Sequence, residues 1–364
     1  MKTQPNTSRG VVTARRGLAL KVAVVVVTVV SGCSAATKST NASSPPSVTS
    51  VAASESSTAA GDATPQRTVI VDDLSDPTQF VDGPNGWLLV AQLNGEEDAS
   101  TGQILAVNLK TKQRVVLLDK LNKPTGVAWF NGFLWVMEQR RLVRSPWADP
   151  TAKPGPIEVL VDELPFNGRS EGTLTVTPTS HLLYETTGSI VSGSVVDGSG
   201  VLWEFDPSTK TSSKFAVGLK NSYAHTFLPD GRLATVDIGD NIATAPVDEL
   251  NLLPSESTDN KPPQFGWPDC PGDTTCADVI APLTTFPPHS TPSGVAANKQ
   301  YAYVTLFVTG QLQRVALKGQ ATNAAQTTIA SELQGPHTVM LRPNGQLWIS
   351  EHLANRIISI TPPR

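Results

Sequence analysis

An all-β fold closed as a six-bladed β-propeller is what this sequence predicts, and three observations carry the prediction. The first is composition: 27 Gly and 29 Pro among 364 residues, with only 16% charge, punctuate the chain with turn formers and favour short strands over helices. The second is a repeat. Six segments share an apolar-alternating strand, a turn of Pro, Asn, Asp or Gly type and a second strand, starting at Pro77, Pro124, Glu171, Ser222, Pro292 and Pro336. The third is the spacing of those starts, 47, 47, 51, 70 and 44 residues, which is the period of a four-stranded blade. Further alternating runs, such as GQILAVNL followed by QRVVLLD, supply the remaining strands of each blade. RTVIV (Arg67 to Val71) precedes the first repeat, and the last repeat ends at NRIISITP without a fourth strand, so the N-terminal strand is expected to complete the sixth blade and leave no open edge. A two-sheet sandwich would not need six copies of one hairpin.

The segment before the repeats reads as an address. Five basic residues and no acid lie in the first 32 positions, and the apolar run from Val22 to Val30 is too short to span a bilayer, which needs about 20 helical residues. This is the pattern of a signal peptide. Val30-Ser31-Gly32-Cys33 resembles the lipobox of bacterial lipoproteins, which predicts removal of residues 1–32 and lipidation of Cys33. Acyl chains contribute about 0.8 kcal/mol per buried CH₂, enough for several to hold a protein on a membrane without a spanning helix. Residues 33–65 are mostly Ser, Thr, Ala and Pro, and they are expected to form a flexible tether. The propeller is then placed at 66–364, on the extracytoplasmic face of a bacterial cell membrane. Taking the leader's five basic residues from the 28 of the whole chain leaves 23 against 32 acidic ones, a balance that argues against nucleic acid, whose phosphates demand a cationic face.

A propeller directs equivalent positions of different blades toward one axis. Aligning the second strands puts Gln92, Glu138, Thr186, Asp237, Leu306 and Glu351 at one position. Three readings of its three carboxylates stay open: they converge on a hard cation such as Ca²⁺, they hold one carboxyl protonated as an acid, or each ends its strand by accepting hydrogen bonds from turn amides. The longest interval, Asp237 to Pro292, is expected to lay an acidic loop over one face, with Gly239, Asp240, Asp248 and Glu249 offering oxygens for a cation. Cys270 and Cys276 are expected to pair in an oxidising compartment, with a metal pair as the alternative. Of the five histidines, His225 and His337 stand in repeat strands that can face the channel.

The run GLKNSYAHTFLPDGRLATVDIGDN, followed by VDELNLL and FGWP, resembles the soluble glucose/sorbosone dehydrogenases, six-bladed propellers that bind pyrroloquinoline quinone (PQQ) and Ca²⁺. The resemblance extends over most of Gln66 to Arg364. It implies that Lys220 and Asn221 occupy the place of the Arg-Asn pair that grips the quinone's carboxylates. It further implies that carbonyls near Gly239 and Asp240 coordinate the cofactor's Ca²⁺, and that Glu249 serves a second Ca²⁺ site. The match is uneven. Where the family has its catalytic histidine this chain has Arg169, which is always protonated and cannot accept a proton. Cofactor-binding positions of the second, fifth and sixth blades fall at about Leu121, at Phe307 or Val308, and at about Gly335 and His337. His337 is therefore the first candidate for a substitute base and His225 the second.

These residues leave three functions open: oxidation of an aldose or related sugar with PQQ and calcium, a non-catalytic propeller of the same lineage that binds a ligand or envelope partner, and a metal-dependent lactonase using Glu138, Asp237 and Glu351.

Overall fold

The computed structural model describes residues 65–363, apart from 97–98, 151, 169–170, 240–246, 255–260, 271–275 and 318–321. The expected leader at 1–32, the tether up to residue 64, Cys33, Arg169 and Asp240 all lie outside the described residues.

Six four-stranded antiparallel sheets are arranged in chain order, each stepping from one strand to the next. Blade 1 runs through Pro77–Asp82, Trp87–Gln92, Gly102–Asn108 and Arg114–Leu121; blade 2 through Gly126–Phe130, Phe133–Met137, Leu142–Pro146 and Glu158–Val161. Blade 3 comprises Thr175–Val176, Leu182–Thr186, Val201–Asp206 and Thr211–Val217, and blade 4 Ala224–Phe227, Leu233–Asp237, Asp248–Leu253 and Thr284–Phe286. Blade 5 uses Pro292–Ala297, Tyr301–Leu306, Gln311–Ala316 and Gln326–Ala330. Blade 6 has Pro336–Leu341, Leu347–Glu351 and Arg356–Ile360, and its fourth strand is Arg67–Val71 from the start of the domain. Arg67 pairs with Ile360 and Val69 with Ile358. The ring is thus closed by joining its two chain ends in one sheet, as the strand count requires.

Alternation explains why the blades stack. In WLLVAQ every side chain is buried, because Leu88 and Val90 face blade 6 while Leu89 and Ala91 face blade 2. The same division recurs around the ring, and six apolar clusters fill the six interfaces between neighbouring blades. Turn chemistry agrees with the topology: Asn131 (φ 52°) and Gly132 (φ 75°) both take left-handed backbone in the two-residue hairpin of blade 2.

The innermost strands of adjacent blades lie against one another around the axis. Their approach is close enough that a Cβ on Gly172 would collide with the Tyr223 carbonyl, and one on Gly294 would sit 2.5 Å from the His337 carbonyl. Hydrogen bonds stitch this inner ring. Thr78 Oγ1 donates to the Pro124 carbonyl (2.9 Å), Thr125 Oγ1 to Gly172 (3.1 Å), Ser293 Oγ to Pro336 (2.9 Å) and Thr338 Oγ1 to Thr78 (2.9 Å). Gln79 reaches from blade 1 to both of the next two blades. Its Nε2 donates to the Leu174 carbonyl (2.8 Å), while its Oε1 accepts from Val127 N (2.7 Å) and Leu174 N (3.0 Å).

One expectation needs correction. The stretch after Asp237 is not a single acidic loop, because Asp248–Leu253 forms the third strand of blade 4, with Asp237 opposite Glu249. The alternation of DELNLL buries Leu250 and Leu253 in the interfaces, and that burial decides in favour of a strand. The later part of the insertion leaves blade 4 altogether. Gln264 to Trp267 runs along the outer strand of blade 3, where Phe265 N donates to Val217 O (3.0 Å) and Trp267 N to Gly218 O (2.8 Å). Cys270 and Cys276 are joined in a disulfide at the end of this segment.

Candidate functional site at the channel mouth

At one end of the channel the inner strands begin and the second strands end, so the repeat brings its aligned polar positions together there. Most of them are engaged within their own blades. Glu138 Oε1 accepts from Asn122 N (2.6 Å), Glu351 Oε1 from Gln334 N (2.9 Å) and Gln92 Oε1 from Ser75 N (3.1 Å), each fixing the turn that leads into its blade's first strand. Asp237 does the same twice, accepting from Lys220 N (2.8 Å) and Asn221 N (2.5 Å). Blade 5 has Leu306 at this position and takes its carboxylate from a neighbour: Asp248 Oδ2 accepts from Ser290 Oγ (3.0 Å) and Thr291 N (2.8 Å). The structure therefore favours the turn-amide reading over convergence. Among the described residues no group of three or more His, Cys, Asp or Glu side chains is arranged to hold a metal ion.

Blades 3 and 4 bury an acidic cluster at the mouth. Asn221 Nδ2 donates to Glu185 Oε1 (2.5 Å) and Thr187 Oγ1 (3.1 Å), and Thr187 N donates to Glu171 Oε2 (2.9 Å). Glu171 Oε1 has no hydrogen-bond partner among the described residues. Lys220 Nζ donates to the Gly188 carbonyl (2.7 Å) and lies 5.6 Å from the centre of the Trp267 ring. Burial sets the protonation of these acids. It raises Glu171 well above the carboxylate range, with Glu185 adding repulsion. Burial also pushes Glu185 up to about 8, aided by Asp237, and Asp237 up to about 7. The cluster thus holds protons at neutral pH rather than three full charges.

Blades 5 and 6 present an aromatic shelf instead. Tyr223 extends from blade 4 to blade 6, and its hydroxyl shares a hydrogen bond with His337 Nε2 (3.1 Å). His337 stacks on His352 (5.6 Å between ring centres), and Phe307 meets both imidazoles edge-on (5.9 and 5.7 Å). His352 Nδ1 donates to the Pro77 carbonyl (3.2 Å). His337 Nδ1 is buried without a partner among the described residues. Burial, with His352 alongside, lowers the His337 pKa to about 3.

The remaining predicted positions are dispersed. His225 lies further along the channel in blade 4, with Nδ1 bonded to Thr175 Oγ1 (2.8 Å), and burial lowers its pKa to about 3. It is among the residues lining a cavity of about 320 Å³, together with Gln79, Thr226 and Thr338. Gly239 N donates to Asp248 Oδ1 (2.8 Å). Glu249 is buried in its strand, where its Oε2 accepts from Asn251 Nδ2 (2.9 Å). Sequence reasoning did not find Glu171, Glu185 or Tyr223. Glu185 follows three apolar residues in a strand, and only the blade register shows that it meets Asn221 across an interface.

No family model matches the sequence, and no curated protein matches it either. Solved structures do. A Thermus thermophilus oxidoreductase described as a glucose dehydrogenase superposes with a TM-score of 0.68 at 16% identity, over 81% of this chain and 99% of its own. The PQQ-bound aldose sugar dehydrogenase of Streptomyces coelicolor gives 0.66 at 19%, over 81% and 98%. The holo PQQ domain of Coprinopsis cinerea pyranose dehydrogenase gives 0.60 at 13%, over 82% and 97%. The chain has the six-bladed fold of the PQQ-dependent sugar dehydrogenases. At its mouth this fold carries the acidic cluster and the aromatic shelf described above.

That arrangement does not fit the quinone. PQQ is a tricarboxylate and calls for cations. The pair assigned to grip it, Lys220 and Asn221, is 7% and 2% exposed, and its side chains donate inward to Gly188 and Glu185. The surrounding carboxyls of Glu171, Glu185 and Asp237, protonated or not, supply no cation for it.

Proposed function

We propose that the protein is a ligand-binding propeller of the sugar dehydrogenase lineage, tethered through Cys33 to the extracytoplasmic face of the membrane, which binds a neutral, carbohydrate-type molecule at the channel mouth without oxidising it through PQQ. The observation that carries this reading is the burial of Lys220 and Asn221 in an internal hydrogen-bond network, which removes the cofactor's grip from the surface. The part-exposed rings of Phe307 and His352, packed on the buried pair Tyr223 and His337, support the ligand class, because an aromatic surface suits the C–H face of a sugar ring.

The competing reading, oxidation of an aldose with PQQ and calcium, would need His337 or His225 as the proton acceptor. Each has a pKa of about 3, far below the operating range in which a general base is effective. The lactonase reading would need Glu138, Asp237 and Glu351 around one cation, whereas each holds its own turn.

The deciding experiment titrates purified protein with PQQ and Ca²⁺ by calorimetry, then with a panel of neutral mono- and disaccharides. Sugar binding with no PQQ binding is the expected result. PQQ uptake followed by sugar-dependent reduction of an artificial electron acceptor would overturn the proposal.

A further inference from the structure

A groove of about 800 Å³ opens beside the outer strands of blade 3, and none of the shelf residues lines it. One wall begins at Val195, in the hairpin of Ile190–Val191 and Ser194–Val195, and continues through residues 196–201. The other consists of residues from 264–270 and 276–279, clamped by the Cys270–Cys276 disulfide. Trp267 anchors this second wall, because its ring is wedged between Gly188 and Gly200, where an added Cβ would lie 2.7 Å and 2.8 Å from ring carbons. Its indole Nε1 is buried with no hydrogen-bond partner among the described residues, which leaves the wall a spare donor. The charged side chains of the groove are Asp197, Asp269, Asp278 and Lys214, all exposed. Lys214 Nζ stands 5.9 Å from the centre of the Trp203 ring. The three aspartates form no side-chain hydrogen bond or ion pair with another described residue, and they are not arranged to hold a metal ion. Three carboxylates against one ammonium leave a surplus of two negative charges. Of the other polar side chains, Ser199 is engaged with Val196 O (2.8 Å) and Ser189 N (3.1 Å), and Gln264 adds an exposed amide at the rim. Val195 (45% exposed), Val196, Val217, Pro268 and Val279 give the groove its apolar surface, and Val191 on the same hairpin is 61% exposed. The hairpin is a sheet of two strands only, so the Ser194–Val195 strand keeps a free edge beside the groove.

We propose that this groove binds a basic segment of a partner protein in extended conformation, with lysine or arginine side chains at Asp197, Asp269 and Asp278 and apolar side chains against Val195, Val217 and Pro268. Charge complementarity chooses the occupant. Unpaired carboxylates on both walls attract a cationic segment and repel an acidic one, while the apolar surface between them favours alternating apolar side chains. An extended chain also presents carbonyls, the acceptors that the Trp267 indole and a free strand edge call for. The groove uses none of Tyr223, Phe307, His337 and His352, so it is a second site beside the one proposed for a sugar.

Fluorescence anisotropy of the purified full chain with dye-labelled, end-capped heptapeptides tests this. Three probes alternate valine with lysine, serine or glutamate, and a fourth alternates glycine with lysine. The valine-lysine peptide is expected to bind at least about 10-fold more tightly than the valine-serine and glycine-lysine peptides, and the valine-glutamate peptide to show no binding. In the Asp197→Asn/Asp269→Asn/Asp278→Asn variant the advantage of lysine over serine should fall to about 3-fold or less. All three positions are exposed, and an unaltered melting temperature verifies that the variant is folded. Equal affinity for the lysine and serine peptides, or an advantage that survives the triple substitution, overturns the proposal. Equal binding of the glycine-lysine peptide shows charge attraction without a groove and overturns it as well, as does absence of binding by all four. None of these outcomes bears on sugar binding at the mouth, which the triple variant should retain.

Discussion

The Tyr223 hydroxyl lies 3.1 Å from His337 Nε2, joining the innermost strand of blade 4 to that of blade 6 at the channel mouth. This bond and the packing of Phe307 and His352 together hold the buried His337 ring. Tyr223→Phe keeps the ring packing and removes the bond. It is expected to lower stability by about 1–2 kcal/mol, because a buried imidazole nitrogen loses its partner. Chemical denaturation measures this, and binding of the preferred sugar should weaken in the same variant.

Stability should fall on both sides of mildly acidic pH. His225 and His337 have pKa values depressed from 6.5 to about 3, so their contribution is present above pH 6.5 and is lost as the pH drops toward 3. Glu185 has its pKa raised from 4.5 to about 8, so its contribution is present below pH 4.5 and is lost as the pH rises through 8. Melting temperatures recorded from pH 4 to 9 should form a bell. Glu185→Gln should flatten the alkaline limb and His225→Gln the acid limb, while each leaves the other limb in place.

Lys220 is the cation whose field acts on the three buried carboxyls of Glu171, Glu185 and Asp237, and its ammonium is itself buried. Lys220→Met removes the charge but keeps most of the volume. If the pair's role is internal, the loss should reach about 3 kcal/mol, in the range seen when one partner of a buried ionic network is removed. An unchanged unfolding midpoint would show instead that Lys220 is available to something outside the fold.

Gln79 satisfies backbone groups on two other blades. Gln79→Ala should cost about 2–4 kcal/mol, since Val127 N, Leu174 N and Leu174 O lose their partner together. Gly172→Ala is expected to be worse, because the Tyr223 carbonyl occupies the space of the new methyl group and belongs to rigid backbone. Thermal melts of the two variants rank these effects.

Repetition made the fold legible. Six hairpins with similar spacing define the blades, and the surplus strand at Arg67–Val71 identifies how the ring closes. The same repeat aligns Gln92, Glu138, Asp237 and Glu351, yet alignment does not say whether they face the axis or turn back on their own loops; hydrogen-bond geometry decides that. DELNLL reads as part of a loop because two acids stand at its start. In the structure, Asp248 is satisfied by Gly239 N, Ser290 and Thr291, so a strand can begin with a buried carboxyl. The aromatic shelf is hidden for another reason. Tyr223, Phe307, His337 and His352 are scattered over about 130 positions of chain, and no sequence period connects them.

Closure by Arg67–Val71 also fixes an order of events. The strand made first in the domain is among the last to find its partner, because Ile358 and Ile360 are made about 290 residues later. Until then blade 6 has no outer strand, and the ring can open between its first and last elements. A sequence separation of this size makes the closing contact slow, since so long a loop must be closed before any energy is returned. Once formed, the seam couples the first and last strands of the propeller. Tension applied ahead of Arg67 would act on the lock that completes the ring, so a pull on the leading segment would be felt by the whole domain.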